Sequence, residues 1–210
     1  MKLIFSLPMP IPPLSHRALK PWFAAMLLVA MAPANAHPHV WIDYAAVAQM
    51  HGSTLYAVQE RWVFSKGFPV PIVGDMTGMP KSGPVGDKYT TVFKQQAFNT
   101  LKGAGYFTQV FAGGKPLAVA EARNFSVSID KGRVVYDFLV PLAAPVDVKH
   151  AKVQLGVWDE TFFVDFEGTP APAVSFDTHA PKTCKAQSFE DHEHAIFGGS
   201  IFPVASLLTC

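Results

Sequence analysis

The amino-acid sequence predicts a mainly β or α+β fold: antiparallel sheets in a sandwich-like arrangement, with one amphipathic helix packed against them. Three observations lead there. From His37 onward, short runs rich in Val, Phe, Tyr and Trp alternate with turns built from Gly, Asp, Lys and Ser. One stretch, Tyr89 to Lys102, instead repeats apolar residues at every fourth position. And with residues 1–36 set aside, 174 of the 210 remain, enough for a single domain with its own core and too few for two comfortable ones.

The elements follow in order. Val40 to Met50 and Thr54 to Phe64 flank the turn His51-Gly52-Ser53 and read as a hairpin. Ser65 to Gly86 holds Pro69, Pro71, Pro80 and Pro84 among its glycines, so it reads as a long irregular connection. The helix is expected over Tyr89 to Lys102, with Tyr89, Phe93, Ala97 and Leu101 as its apolar stripe, Asp87 as cap and Gly103 as stop. Strands then follow at Tyr106 to Ala112 and Leu117 to Ala120 around Gly113-Gly114-Lys115-Pro116. Another pair, Phe125 to Asp130 and Val134 to Val140, surrounds Lys131-Gly132. A last pair, Val153 to Trp158 and Phe162 to Phe166, surrounds Asp159-Glu160-Thr161, and residues 185–210 read as a C-terminal tail.

Residues 1–36 read as a cleaved signal peptide. Lys2, Arg17 and Lys20 supply positive charge with no acidic residue before His37, Trp22 to Met31 form an apolar run, and Ala34 and Ala36 make an A-x-A site. A bilayer span needs about 20 apolar residues, so a retained anchor is the weaker reading. Export to the periplasm is expected, leaving residues 37–210 as a single domain. That part carries 14 basic and 16 acidic residues, a formal charge of −2, which gives no reason to expect nucleic acid or an anionic membrane surface as partner. Cys184 and Cys210 both lie in the exported part, where an oxidising compartment permits a bridge worth on the order of 3 kcal/mol. The alternative is two unpaired thiols, with Cys210 on a frayed terminus.

Cleavage after Ala36 would leave His37-Pro38-His39-Val40-Trp41-Ile42-Asp43 as the new start, a free amine beside two imidazoles. In an extended segment His37, His39, Trp41 and Asp43 share one face and Val40, Ile42 and Tyr44 the other. Neutral imidazole suits zinc, nickel, cobalt and copper. A square-planar site using a deprotonated second-position amide is excluded, because Pro38 has no N–H. Two geometries remain. In one, His37 chelates copper through its amine and ring as a histidine brace, completed by a distant histidine, for which His179 is the best candidate. In the other, His37 and His39 hold a zinc-like ion with a carboxylate such as Asp43, Glu60 or Asp159. A third account binds no metal, the histidines merely hydrogen-bonding at a polar terminus.

A second cluster, Glu190-Asp191-His192-Glu193-His194, places His192 and His194 on one side if extended, so it could hold a divalent ion weakly or pass one to the first site. Such a run is more often a solvated tail. His51 and His150 stand alone as turn or surface residues. Enzyme signatures are thin: no G-x-S-x-G, no phosphate-binding glycine loop, no H-E-x-x-H.

Four segments together, H-P-H-V-W-I-D at 37 to 43, E-R-W-x-F at 60 to 64, A-F-N-T-L-K-G-A-G-Y-F-T at 97 to 108 and W-D-E-T-F-F-V at 158 to 164, carry a family likeness. The chain resembles the exported bacterial family labelled domain of unknown function 1007, described as an uncharacterised ABC-type transport system periplasmic component. The resemblance implies a periplasmic location and association with an inner-membrane nickel, cobalt or zinc transporter; it implies no established activity. The resemblance implies, for many relatives, an acidic calcium-loop-like stretch before the helix. Gly74-Asp75-Met76-Thr77-Gly78 has one acid and lacks the ligand count, so calcium is not expected. The leading expectation is a transition-metal-binding accessory with His37 and His39 as ligands and Asp43 or Asp159 as partners. The alternatives are a histidine-brace copper enzyme and an interaction module without metal.

Overall fold

A computed structural model of the chain describes residues 39–66, 78–169 and 172–210. The expected signal segment, His37, Pro38 and the sparse loop at Asp75 lie outside the described residues. Among the described residues no helix is long and apolar enough to cross a membrane.

Among the described residues twelve strands form two sheets. The first hairpin is as expected: β1 (Val40–His51) pairs antiparallel with β2 (Thr54–Phe64), Ile42 opposite Phe64 and His51 opposite Thr54. Alternation along β1 is strict, with Val40, Ile42, Tyr44, Ala46, Ala48 and Met50 all buried. β2 then pairs with β7 (Arg133–Asp147), β7 with β6 (Arg123–Asp130), and β6 with the two-residue β3 (Gly83–Pro84). On the other edge of β1, β9 (Val164–Gly168) and β10 (Val174–Phe176) run parallel to it in succession, the first along residues 40–44 and the second along 46–48.

The second sheet has the order β11 (Lys185–Glu190), β12 (Val204–Thr209), β8 (Val153–Val157), β4 (Thr108–Ala112) and β5 (Lys115–Pro116). Two expectations change here. Residues 185–210 are not a loose tail: β12 lies between β11 and β8, and Cys184 and Cys210 are joined by a disulfide next to the Lys185–Thr209 end of the ladder. The expected hairpin around Asp159 is also absent. β8 and β9 belong to different sheets, so Asp159-Glu160-Thr161 is the crossing between them. Composition marks both segments as strands but does not say which neighbour each one takes.

The sheets share one core. Ile42, Tyr44, Val58, Trp62, Phe64, Tyr136 and Phe138 from the first sheet meet Val110, Val153, Leu155, Val157 and Leu208 from the second. A smaller cluster, Phe111, Trp158, Ile196 and Ala205, covers the outer face of the second sheet. It requires Gly156, since a Cβ there would lie 2.3 Å from the Trp158 ring. Reducing the Cys184–Cys210 bridge is expected to cost about 3 kcal/mol, the entropy released to the unfolded chain when a loop of this length is opened. Urea unfolding with and without reductant measures this, and coincident midpoints would refute it.

The helix is shifted from its expected span. α1 (Gly86–Gln96) starts earlier, with Asp87 in its first turn rather than capping it, and gives way at Ala97 to a 3-10 segment, Phe98–Phe107. Ala97 has non-helical dihedrals, and its carbonyl accepts the Thr100 hydroxyl at 2.6 Å, so the i+4 stripe continues in a tighter winding. Gly105, Tyr106 and Phe107 then take φ of 59°, 57° and 58° in succession. Left-handed φ costs roughly 1–2 kcal/mol at each bulky residue. Aromatic burial offsets it: Tyr106 stacks on Phe98 at 5.1 Å, and Phe107 lies 6.1 Å from Trp62 and 5.5 Å from Phe166.

Candidate functional site

The end of β1 is tied to the loop that crosses between the sheets. Asp159, nearly fully buried, accepts the Thr161 backbone N–H (2.9 Å) and hydroxyl (2.8 Å) on Oδ1, and the Phe163 and Val164 N–H groups (3.1 Å each) on Oδ2. The Phe163 carbonyl in turn accepts the His39 N–H at 2.9 Å and that of Val40 at 3.3 Å, and the His39 and Phe163 rings lie 4.8 Å apart. Asp159 and His39, two residues singled out from sequence, are therefore linked through Phe163. Asp159 has spent its oxygens on four donors, so its place here is to position the loop rather than to offer a ligand.

The outward face of β1 is as read from the alternation for its described residues: His39 is exposed, Trp41 is 45% exposed, and Asp43 is half-buried. Asp43 accepts Arg133 Nη1 at 2.5 Å, which places a cation where a metal partner was expected. Beside this row stand Asp165, opposite Trp41, and Glu167, opposite Asp43. Burial pushes the Asp165 carboxyl up. Neither residue was singled out from sequence, because only the parallel β1–β9 register brings them here. Glu60 is on the opposite, core-facing side of the sheet and so is out of reach of His39.

His179 is also removed from this end. It sits on Asp177, whose N–H bonds the Ala48 carbonyl, nine residues along β1 from His39, or about 30 Å at strand rise. It does not complete a site with His39.

The 190–194 stretch is turned rather than extended, so His192 and His194 part company. The Asp191 carboxylate accepts the Glu193 and His194 N–H groups at 3.0 and 3.2 Å. His192 lies against Phe202 at 4.2 Å, with Nε2 3.7 Å from Glu190. His194 turns inward: its Nδ1 is 2.8 Å from the Asp191 carboxylate, which is 1% exposed, and its ring stacks on Phe111 at 3.9 Å. It lines a cavity of about 380 Å³ with Gln109, Phe111, Trp158, Glu160 and Phe197. A second cavity of about 390 Å³ lies beyond Gln109, Trp158 and Glu160, reaching Gly105 and Thr108. Among the described residues no group of three or more His, Cys, Asp or Glu side chains is arranged to hold a metal ion.

Behind Thr108 is a polar cluster of which sequence reasoning considered only Glu60, and that as a carboxylate partner for a metal. Glu60 is wholly buried and accepts the Thr108 hydroxyl and the Trp62 indole N–H, each at 2.5 Å. Burial pushes its carboxyl from 4.5 up to about 7, against the opposing pull of the two hydrogen bonds. Burial and the nearby Glu60 charge push the Tyr44 phenol up to about 12. The bond from Thr108 ties the second sheet to the first through the core. The signal was in the sequence: in Val58-Gln59-Glu60-Arg61-Trp62-Val63-Phe64 the acid takes an inward position of a period-two pattern.

This cluster joins the E-R-W-x-F and Y-F-T segments, and the Asp159 loop joins W-D-E-T-F-F-V to H-P-H-V-W-I-D. A family model described as a protein of unknown function (DUF1007) matches residues 22–196. The chain belongs to the DUF1007 family. The DUF1007 match takes in Glu60, Thr108, Asp159 and His194, and ends before β12 and Cys210. The chain is 37% identical over 84 residues to an uncharacterized 15.5 kDa protein in the trpE 3'region of Spirochaeta aurantia, a match covering 40% of this chain and 59% of that protein. It is 22% identical over 159 residues to an uncharacterized protein of Haemophilus influenzae, covering 74% and 73% of the two.

Proposed function

We propose that this chain is a periplasmic accessory protein that binds a divalent transition metal through His37 and His39 and serves an inner-membrane metal transporter. The observation that carries the reading is the anchoring of His39. A chain end held to the Asp159 loop by the bond from His39 N–H to the Phe163 carbonyl keeps its imidazole in place without consuming it. Cleavage after Ala36 adds a free amine and a second imidazole two residues before that anchor, both good ligands for zinc, nickel or cobalt near neutral pH. The carboxylates of Asp165 and Glu167 stand on the same outward face and favour a cation there. The disulfide fits an oxidising compartment.

Titration of the protein starting at His37 with zinc, nickel and cobalt tests this. His37→Ala and His39→Ala are each expected to lower affinity at least roughly tenfold, as loss of one imidazole ligand does. One extra residue before His37 should cost a similar factor by displacing the amine. No binding of any of the three ions at micromolar concentration would overturn the reading, and turnover that requires copper and an oxidant would favour the histidine-brace enzyme in its place.

A further inference from the structure

We propose that the cavity beside His194 is a second binding site, and that it takes a transition metal already held by a small amino-acid chelator rather than a bare ion. The inference rests on the transition-metal reading above and extends it to a different part of the molecule. The Asp191 carboxylate, itself 1% exposed, holds His194 through Nδ1 at 2.8 Å and accepts the residue's own N–H. A carboxylate on Nδ1 fixes the tautomer that leaves Nε2 as a lone-pair donor and makes it a better one, the arrangement seen behind metal-bound imidazoles. No hydrogen bond to His194 Nε2 is present among the described residues.

One imidazole does not hold a bare ion. Zinc wants four ligands and nickel as many as six, and the described residues offer no group of three. The space is also far larger than an ion: about 380 Å³, at the lower end of the range for small-molecule sites, walled by Phe111 and Trp158, whose rings stack at 6.1 Å. A ligand that brings most of its own donors solves both problems. Its metal keeps one position open for His194, and its organic part packs on the aromatic walls.

The charge of the lining narrows the chelator. Among the described residues Glu160 is the acidic side chain that lines the cavity beside His194, and no Lys or Arg lines it. An anionic complex such as a metal citrate would meet a carboxylate with no cation to offset it. A divalent metal with one amino-acid anion carries a single positive charge and suits the site. Histidine is the simplest case, a tridentate chelator that leaves three of six octahedral positions free.

The test uses the mature protein carrying His37→Ala and His39→Ala, which leaves the cavity intact, and compares nickel chloride with an equimolar nickel–histidine complex by calorimetry and tryptophan fluorescence. Trp158 lies 6.3 Å from the His194 ring, so nickel bound there should quench it. The chelate is expected to bind at least roughly tenfold more tightly than the bare ion. His194→Gln should remove that binding with near-ultraviolet circular dichroism unchanged, and Glu160→Gln, an exposed position with little risk to folding, should weaken it several-fold. Equal affinity for bare and chelated nickel, or full chelate binding in His194→Gln, would overturn the proposal. The amino-terminal reading fails on a separate result, the absence of bare-ion binding by the unsubstituted protein.

Discussion

Raising the pH from about 4 to about 8 is expected to cost the folded protein about 3 kcal/mol through Glu60 alone, and Glu60→Gln should lose that dependence. At the low end of the window the carboxyl is protonated in both folded and unfolded chains, and it contributes no difference. As the pH passes 4.5 the unfolded chain releases its proton while the folded one holds it until about 7, so the unfolded state gains stability across the interval. Above about 7 both forms are ionised, and the full penalty of a buried charge remains, at 1.36 kcal/mol per unit of displacement. Tyr44, held near 12, stays protonated throughout and does not contribute. Glutamine fits the site because the Trp62 N–H can still bond its amide oxygen, while the Thr108 hydroxyl can turn to accept from its NH₂. Urea midpoints of both proteins across this range decide it. Parallel curves would show that Glu60 titrates as an ordinary exposed acid.

Much of this architecture was legible in the sequence because it is local. The β1–β2 hairpin followed from alternation and one turn, and the exposed and buried faces of residues 39–44 followed from the same period. What was not legible is what long-range pairing decides. Nothing in Val164 to Gly168 says that it runs parallel to β1 instead of back along β8, yet that choice brings Asp165 and Glu167 beside Trp41 and Asp43 and turns the Asp159 stretch into a crossing. The 190–194 stretch failed for a different reason. Its histidines were read as an alternating pair, but Asp191 hydrogen-bonds the backbone two and three residues on and bends the chain, as acids do in turns. Glu60 was within reach and weighed only as one carboxylate among three. Its inward register was the better clue, since an acid at a core position must find donors or hold its proton.

Asp159→Ala should have the largest effect at the candidate site, about 4 kcal/mol of stability together with a several-fold loss of metal affinity at the terminus. The substitution leaves the N–H groups of Thr161, Phe163 and Val164 and the Thr161 hydroxyl without their acceptor. Hydrogen bonds to a charged group are worth roughly 1.5–3 kcal/mol each, and partial rehydration of the loop returns some of the sum. The functional cost is indirect. Once the loop loosens, the Phe163 carbonyl no longer fixes the His39 N–H, and the imidazoles must be ordered again each time a metal binds. Asp159→Asn keeps the shape and one acceptor oxygen, so it should recover part of both quantities. Amide hydrogen exchange separates positioning from ligation: in Asp159→Ala the amides of His39, Val40, Phe163 and Val164 should exchange much faster than in the parent protein while Trp62 and Val135, deep in the first sheet, do not change. If metal affinity fell and those amides stayed protected, Asp159 would be acting as a ligand itself, and its assignment as the residue that holds the loop in place would be wrong.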